Sequence, residues 1–212
     1  MINRLAYAAV RGCPAALLAA WILFAAGAAG AAGTEPDWPC VQRLVPQVSA
    51  GMVWAGPPLD EAPDWRSDAE VEELATELAD RRVPLEEAQS RVEAFAEGLD
   101  DDKGRRLTML FAGILDRVNA ERNTVIRGIR RYAHRQQELA SRIESTLAEL
   151  DELPDNGTPE QEARRRELSE RNVWDTRIYE ERERSLTYIC ETPVMLEQRV
   201  FALGRTIQNF LE

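Results

Sequence analysis

The chain has 212 residues, with 37 acidic side chains against 26 basic ones and a formal net charge of −11. An acidic excess of this size repels nucleic acid and anionic lipid, so nucleic acid is not an expected partner. The length and the 44% apolar content are enough for one domain with a real core.

Residues 1–32 read as a secretory signal peptide. Arg4 and Arg11 supply the basic start, Ala15 to Ala26 the apolar stretch, and Ala29-Gly30-Ala31 the small residues of a cleavage site. The rival reading is an uncleaved anchor, since Pro14 to Gly33 is about long enough to span a bilayer. A membrane is expected as a partner only in that case. Cys13 precedes the apolar stretch, is badly placed for lipid attachment, and leaves with the leader. Loss of Arg4 and Arg11 takes the net charge from −11 to −13. The expected location is exported, either periplasmic or secreted.

Cys40 and Cys190 then remain, and two cysteines in an exported chain point to one disulfide. No CxxC occurs, so a thioredoxin-like dithiol and a haem-c attachment site are both excluded. A Cys40–Cys190 bond would close a loop of about 150 residues, and chain-entropy reasoning gives such a link up to about 5 kcal/mol.

Residues 33–66 form the next segment. Pro36, Pro39, Pro46, Pro57, Pro58 and Pro63 exclude a regular helix there. Trp38, Trp54 and Trp65 lie among several valines and leucines, which argues against disorder. The segment is expected to be an extended strap across helices. Its tryptophans either anchor it to the core or present an aromatic patch to a partner.

Helices follow, in a domain spanning 67–212. Ser67 and Glu70 make a capping box for a helix over 68–81, and Val71, Leu74, Ala75 and Leu78 share its inner face. Pro84 opens a second helix that runs to Leu99, and residues 100–104 end it. From Arg105 to Leu153 no proline intervenes. Leu107, Phe111, Ile114, Val118, Val125, Ile129, Tyr132, Leu139 and Ile143 recur at threes and fours, with gaps at Arg122 and Gln136. This pattern predicts one long helix with a coiled-coil-like seam.

Residues 153–158 make a turn through Pro154 and Asn156-Gly157. Thr158, Pro159 and Gln161 then start a returning helix that runs to about Glu191. Its apolar face is thin, and Thr192-Pro193 is expected to break it before a last helix over 193–211. The fold class is therefore all-α: a long antiparallel helical hairpin on a small helical bundle, with an irregular N-terminal strap. Counting from the tip near Asp155 puts Cys190 level with about residue 120. The arm would then cover 121–189 and extend roughly 45 Å at 1.5 Å per residue. The alternative is a compact bundle, with the early helices folded up along the hairpin.

Chemistry has little sequence support. His134 is the only histidine, and no zinc spacing, GxGxxG, Walker or GxSxG pattern occurs. Asp100-Asp101-Asp102 lacks the alternating ligands of a calcium loop. Asn156-Gly157-Thr158 matches a glycosylation acceptor, but turn and cap roles explain it. No catalytic, metal or cofactor site is expected, and no cofactor. The partner is expected to be another protein or a second copy of the chain. Trp38, Trp54, Trp65, Trp174, Arg130 and Arg131 are the candidate contact residues. A membrane-anchored sensory or ligand-binding bundle and an enzyme with an unrecognised site are the competing readings.

Overall fold

A computed structural model describes residues 38–211, so the expected signal peptide over 1–32 lies outside the described residues. Among the described residues no strand occurs, and the helical elements are α1 (Ala50–Val53), α2 (Ala69–Ala79), α3 (Leu85–Glu97), α4 (Lys103–Glu152) and α5 (Pro159–Gln208). A 3₁₀ turn over Trp65–Ser67 precedes α2. The predicted all-α hairpin and bundle are both present.

Local chemistry accounts for the helix ends. Asp68 caps α2, its carboxylate accepting from the Val71 amide at 3.2 Å. The expected cap, Ser67, instead donates its hydroxyl to the Asp64 carbonyl at 2.6 Å. Burial of Trp65 and the Asp64 cap draw residues 65–67 into the tighter turn, which moves the helix start by one residue. At the other turn the prediction holds: Thr158 and Gln161 form a reciprocal capping box with Pro159 at the first helical position.

One break does not occur. α5 continues through Pro193 as a single helix of 50 residues. A proline inside a helix removes one ladder bond and crowds the preceding turn, at a cost of about 3 kcal/mol. Here Pro193 is buried, and Arg122 of α4 donates Nε to its carbonyl at 3.3 Å. Tertiary packing overrides the local preference.

The base has two layers. α4 and α5 pack along each other, α2 lies on α4, and α3 lies on α5. Their shared core includes Leu78, Val92, Leu107, Leu110, Phe111, Ile114, Leu203 and Ile207, all fully buried. Gly113 of α4 admits α2 at close range: a Cβ there would stand 2.8 Å from the Ala75 Cβ and 3.0 Å from the Trp65 ring. Arg199 of α5 is buried and donates to the carbonyls of Leu78 (2.6 Å) and Val83 (2.8 Å). It thereby satisfies an unpaired carbonyl at the C-terminal end of α2 with a cation the helix dipole favours.

The strap runs from the disulfide to the base. Val48 exchanges two bonds with the Asn119 side-chain amide, at 2.9 and 3.0 Å. Trp54 stacks on Phe111, with ring centroids 4.2 Å apart and planes 8° from parallel. The short helix α1 is regular structure that the proline content did not suggest; it falls between Pro46 and Pro57, where none intervenes.

The bonds that α2, α3 and the turn joining them make reach α4 as far as Glu121 and α5 as far as Arg199, and among the described residues none reaches further toward the tip. The early helices thus stay on the base and the hairpin extends past them. Cys190 lies against Ile129, not level with residue 120. Direct contacts set this register, pairing Tyr132 with Arg182, Gln136 with Tyr179, and Arg142 with Asp175. The limb beyond the disulfide is accordingly shorter than predicted, about 40 Å from Val125 to Glu152 at 1.5 Å per residue.

Candidate interaction surface

The arm begins at a clamp. Cys40 and Cys190 are bonded, with Cα atoms 5.6 Å apart and a separation of 150 residues. Both are buried against Ile129, with Trp38, Val125, Leu186 and Ile189 around them. Trp38 donates its indole Nε1–H to the Gln42 carbonyl at 2.7 Å, which holds the ring over the bond. Just below, Arg122 is 2% exposed. It bonds the carbonyls of Pro193 and Val45 (3.1 Å) and pairs with Glu197. One guanidinium thus ties α4, α5 and the strap together at the root of the arm. Burial pushes the pKa of Arg122 down and Glu197 opposes it; an arginine stays protonated regardless.

Above the clamp the seam is unusually polar. Ile129, Leu139 and Leu168 are buried in it, but so are Gln136, Thr146 and Asp175. Gln136 donates to the Tyr179 carbonyl at 3.1 Å, and the Tyr132 hydroxyl to the Arg182 carbonyl at 2.7 Å. Burial raises the Tyr132 hydroxyl pKa, so it stays a donor. Arg142 grips Asp175 with two bonds of 2.7 Å. That contact holds the Asp175 carboxyl below the usual carboxylate range. Near the tip, Arg164 spans to Glu149 at 2.8 Å and Arg165 reaches the Leu153 carbonyl. These links replace the apolar burial that the thin face of α5 lacks.

The outer surface of the arm carries Val173 (66% exposed), Trp174 (62%) and Tyr188 (74%). A groove of about 290 Å³ between the limbs is lined by Arg135, Glu138, Leu139, Arg142, Ile178 and Arg182, all from α4 and α5. Trp174 lies one turn before Ile178 on α5. Among the described residues, Arg131, Arg135 and Arg182 form no side-chain ion pair. Such a surface suits a partner with carboxylates around an apolar anchor.

The six sequence candidates therefore separate. Trp65 is 5% exposed, with the Arg66 and Arg117 guanidiniums near its ring, and belongs to the core of the base. Trp54 and Trp38 are half-buried anchors of the strap and do not form a patch with Trp174. Trp174 stands outward, Arg131 is exposed, and Arg130 is half-buried on the α4 limb. Sequence reasoning did not pick out Arg135, Ile178 and Arg182 as a group. Their signal was a register between two helices, which spacing along one helix does not contain.

His134 is exposed and faces Glu138 at 3.2 Å. Asp102 pairs with Arg105 at 2.6 Å. Among the described residues no group of three or more metal-binding side chains converges. No described helix is long and apolar enough to cross a membrane. No protein-family model matches the chain, and no curated protein or solved structure matches it significantly.

Proposed function

We propose that the protein is an exported, non-enzymatic interaction protein whose hairpin arm is the binding limb, working as an adaptor, assembly factor or chaperone-like clamp. The observation that carries this reading is the division of labour along α4 and α5. Below Glu121 the two helices are covered by α2, α3 and the strap, and their apolar residues are sunk in a common core. Past the disulfide the same helices hold each other through polar links and present Trp174, Ile178 and Tyr188 outward. Exposed aromatics flanked by arginines are the side chains that dominate binding energy at protein interfaces.

Export fits the bond between Cys40 and Cys190, since such bonds persist in oxidising compartments. A disulfide at the root of the limb would also hold its angle to the base during binding. N-terminal sequencing of the exported protein is expected to find a start near residue 32.

The binding reading is tested by placing a photo-crosslinking residue at Trp174, with a second at the exposed Phe201 of the base as the control. Protein adducts from position 174 that are absent or different at 201 are expected. Adducts from neither position, or identical ones from both, would contradict an arm-specific partner.

A further inference from the structure

The face of the arm above α2 and α3 repeats the surface that those helices cover below. On α4, Arg106 bonds Asp68 and Glu70, Gly113 receives Ala75, and Arg117 faces Glu72, so these positions mark the line that α2 occupies. Gly128 and Arg135 follow Arg117 by 11 and 18 residues, about three and five whole turns, and fall on the same line. On α5, Arg199 marks the α2–α3 side, and Trp174 precedes it by 25 residues, about seven turns. The groove holding Arg135 and Ile178 opens on this side, and its lining comes from the two limbs alone. The α2–α3 layer stops at Glu121, so the arm is recessed by one helix layer, about 10 Å.

Gly128 is informative on this face. Glycine inside a helix costs about 1 kcal/mol relative to alanine. Gly113 has an internal reason, because α2 and Trp65 fill the space a Cβ would need. Gly128 has no counterpart: a Cβ there meets nothing closer than the Arg131 guanidinium at 3.9 Å. Among the described residues nothing else approaches it, so the position has room for a close neighbour.

Charge identifies what fits. Between Asn123 and Gln137, α4 carries four arginines and no carboxylate. Between Asp68 and Glu97 the chain carries ten acidic residues and three basic ones. That layer has a groove of about 380 Å³ lined by Glu70, Glu73, Glu77 and Arg91 together with Leu74, Ala94 and Phe95; Arg91 pairs with Glu77 and Arg106 with Glu70. Glu73 is exposed and makes no ion pair among the described residues. One chain thus holds a recessed arm with a basic stretch on α4 and a projecting tryptophan on α5, and a raised layer with an acidic excess and a partly apolar groove.

We infer that a second copy of this chain, lying antiparallel, seats its acidic α2–α3 layer in the recess of the first arm, while its own arm receives the first copy's layer. The arrangement has a two-fold axis near the level of Glu121, so both contacts form at once and the assembly closes as a dimer. Trp174 and Ile178 face the Leu74–Phe95 groove, Arg131 and Arg135 face Glu73 and its neighbours, and Gly128 lets the partner's helix approach. This inference rests on the reading of the arm as the binding limb and names the partner as the chain itself.

The test is sedimentation of the purified protein across a concentration series, at low and high salt. A dimer that weakens as salt rises is expected. Arg135→Glu alone and Glu73→Arg alone should each weaken it on the order of a hundredfold, because each reversal enters the interface twice. An equimolar mixture of the two variants should restore the dimer, since arm and base are then complementary in both directions. Gly128→Gln, which replaces a helix-destabilising residue, should keep the fold and lose the dimer. A protein monomeric at every concentration overturns the inference, as does a dimer indifferent to Arg135→Glu or a mixture that stays monomeric. A monomer whose position 174 still crosslinks to another protein would sink self-pairing alone; a monomer with no adduct would remove the binding-limb reading too.

Discussion

At position 122 an arginine stands where the apolar repeat of α4 asks for a leucine or isoleucine. The repeat showed a gap there, and the structure turns the gap into a joint: a buried guanidinium shared among Val45, Pro193 and Glu197. Arg122→Ala would strand two carbonyls and remove the partner of a half-buried carboxylate. A loss of about 3 kcal/mol is expected in urea unfolding. Arg122→Lys should recover little of it, because one ammonium lacks the fork that spans three acceptors. A loss below about 1 kcal/mol would show the joint to be dispensable.

The Arg142–Asp175 pair gives a pH signature. The folded pKa of Asp175 is lowered from 3.8, so the native state binds fewer protons there than the unfolded chain. Its contribution is present above the unfolded pKa and is lost as pH falls through the folded one. Asp68, held down by Arg106, adds in the same direction. Stability should therefore decline on acidification below pH 3.8. Asp175→Asn should flatten part of that decline, by at most about 1 kcal/mol because Arg142 stands in water. Thermal melts of both proteins from neutral to acid pH check this; an unchanged slope would mean the pair contributes nothing.

Helices were the most legible scale. The periodicity from Leu107 onward, the proline-free run to Leu153 and the Thr158–Gln161 box are local signals, and local signals survive folding. What failed depended on contacts between distant parts. Pro193 reads as a breaker until Arg122 and the buried packing around it are in place. Ser67 reads as a cap until Trp65 is buried. The arm groove was illegible because Arg135 and Ile178 meet only once the register of two helices is known. Gly128 supplies a prediction at this scale: Gly128→Ala has open space for its methyl and should raise stability by about 1 kcal/mol in urea unfolding of the monomer. A destabilised variant would mean that α4 is distorted there in solution.

Across the whole molecule, the base closes on itself and the arm does not. The disulfide joins the two regimes, linking the start of the strap to the helix that returns from the tip. Replacing Cys40 and Cys190 together by alanine should lower stability by about 2–4 kcal/mol. Calorimetry would read this, and a change below about 1 kcal/mol would leave the clamp without an energetic role. The more direct question is whether the arm is a limb or part of the scaffold. Residues 134–181 can be excised and Ala133 joined to Arg182 by a short glycine-containing loop, leaving the clamp and the base core intact. The measurement is the share of protein in higher-mass complexes, for the intact and the trimmed chain, with a melt confirming the fold of each. If the arm is the binding limb, the trimmed chain melts cooperatively and its complexes disappear. Complexes that persist without the arm, in a chain that still folds, would contradict that role.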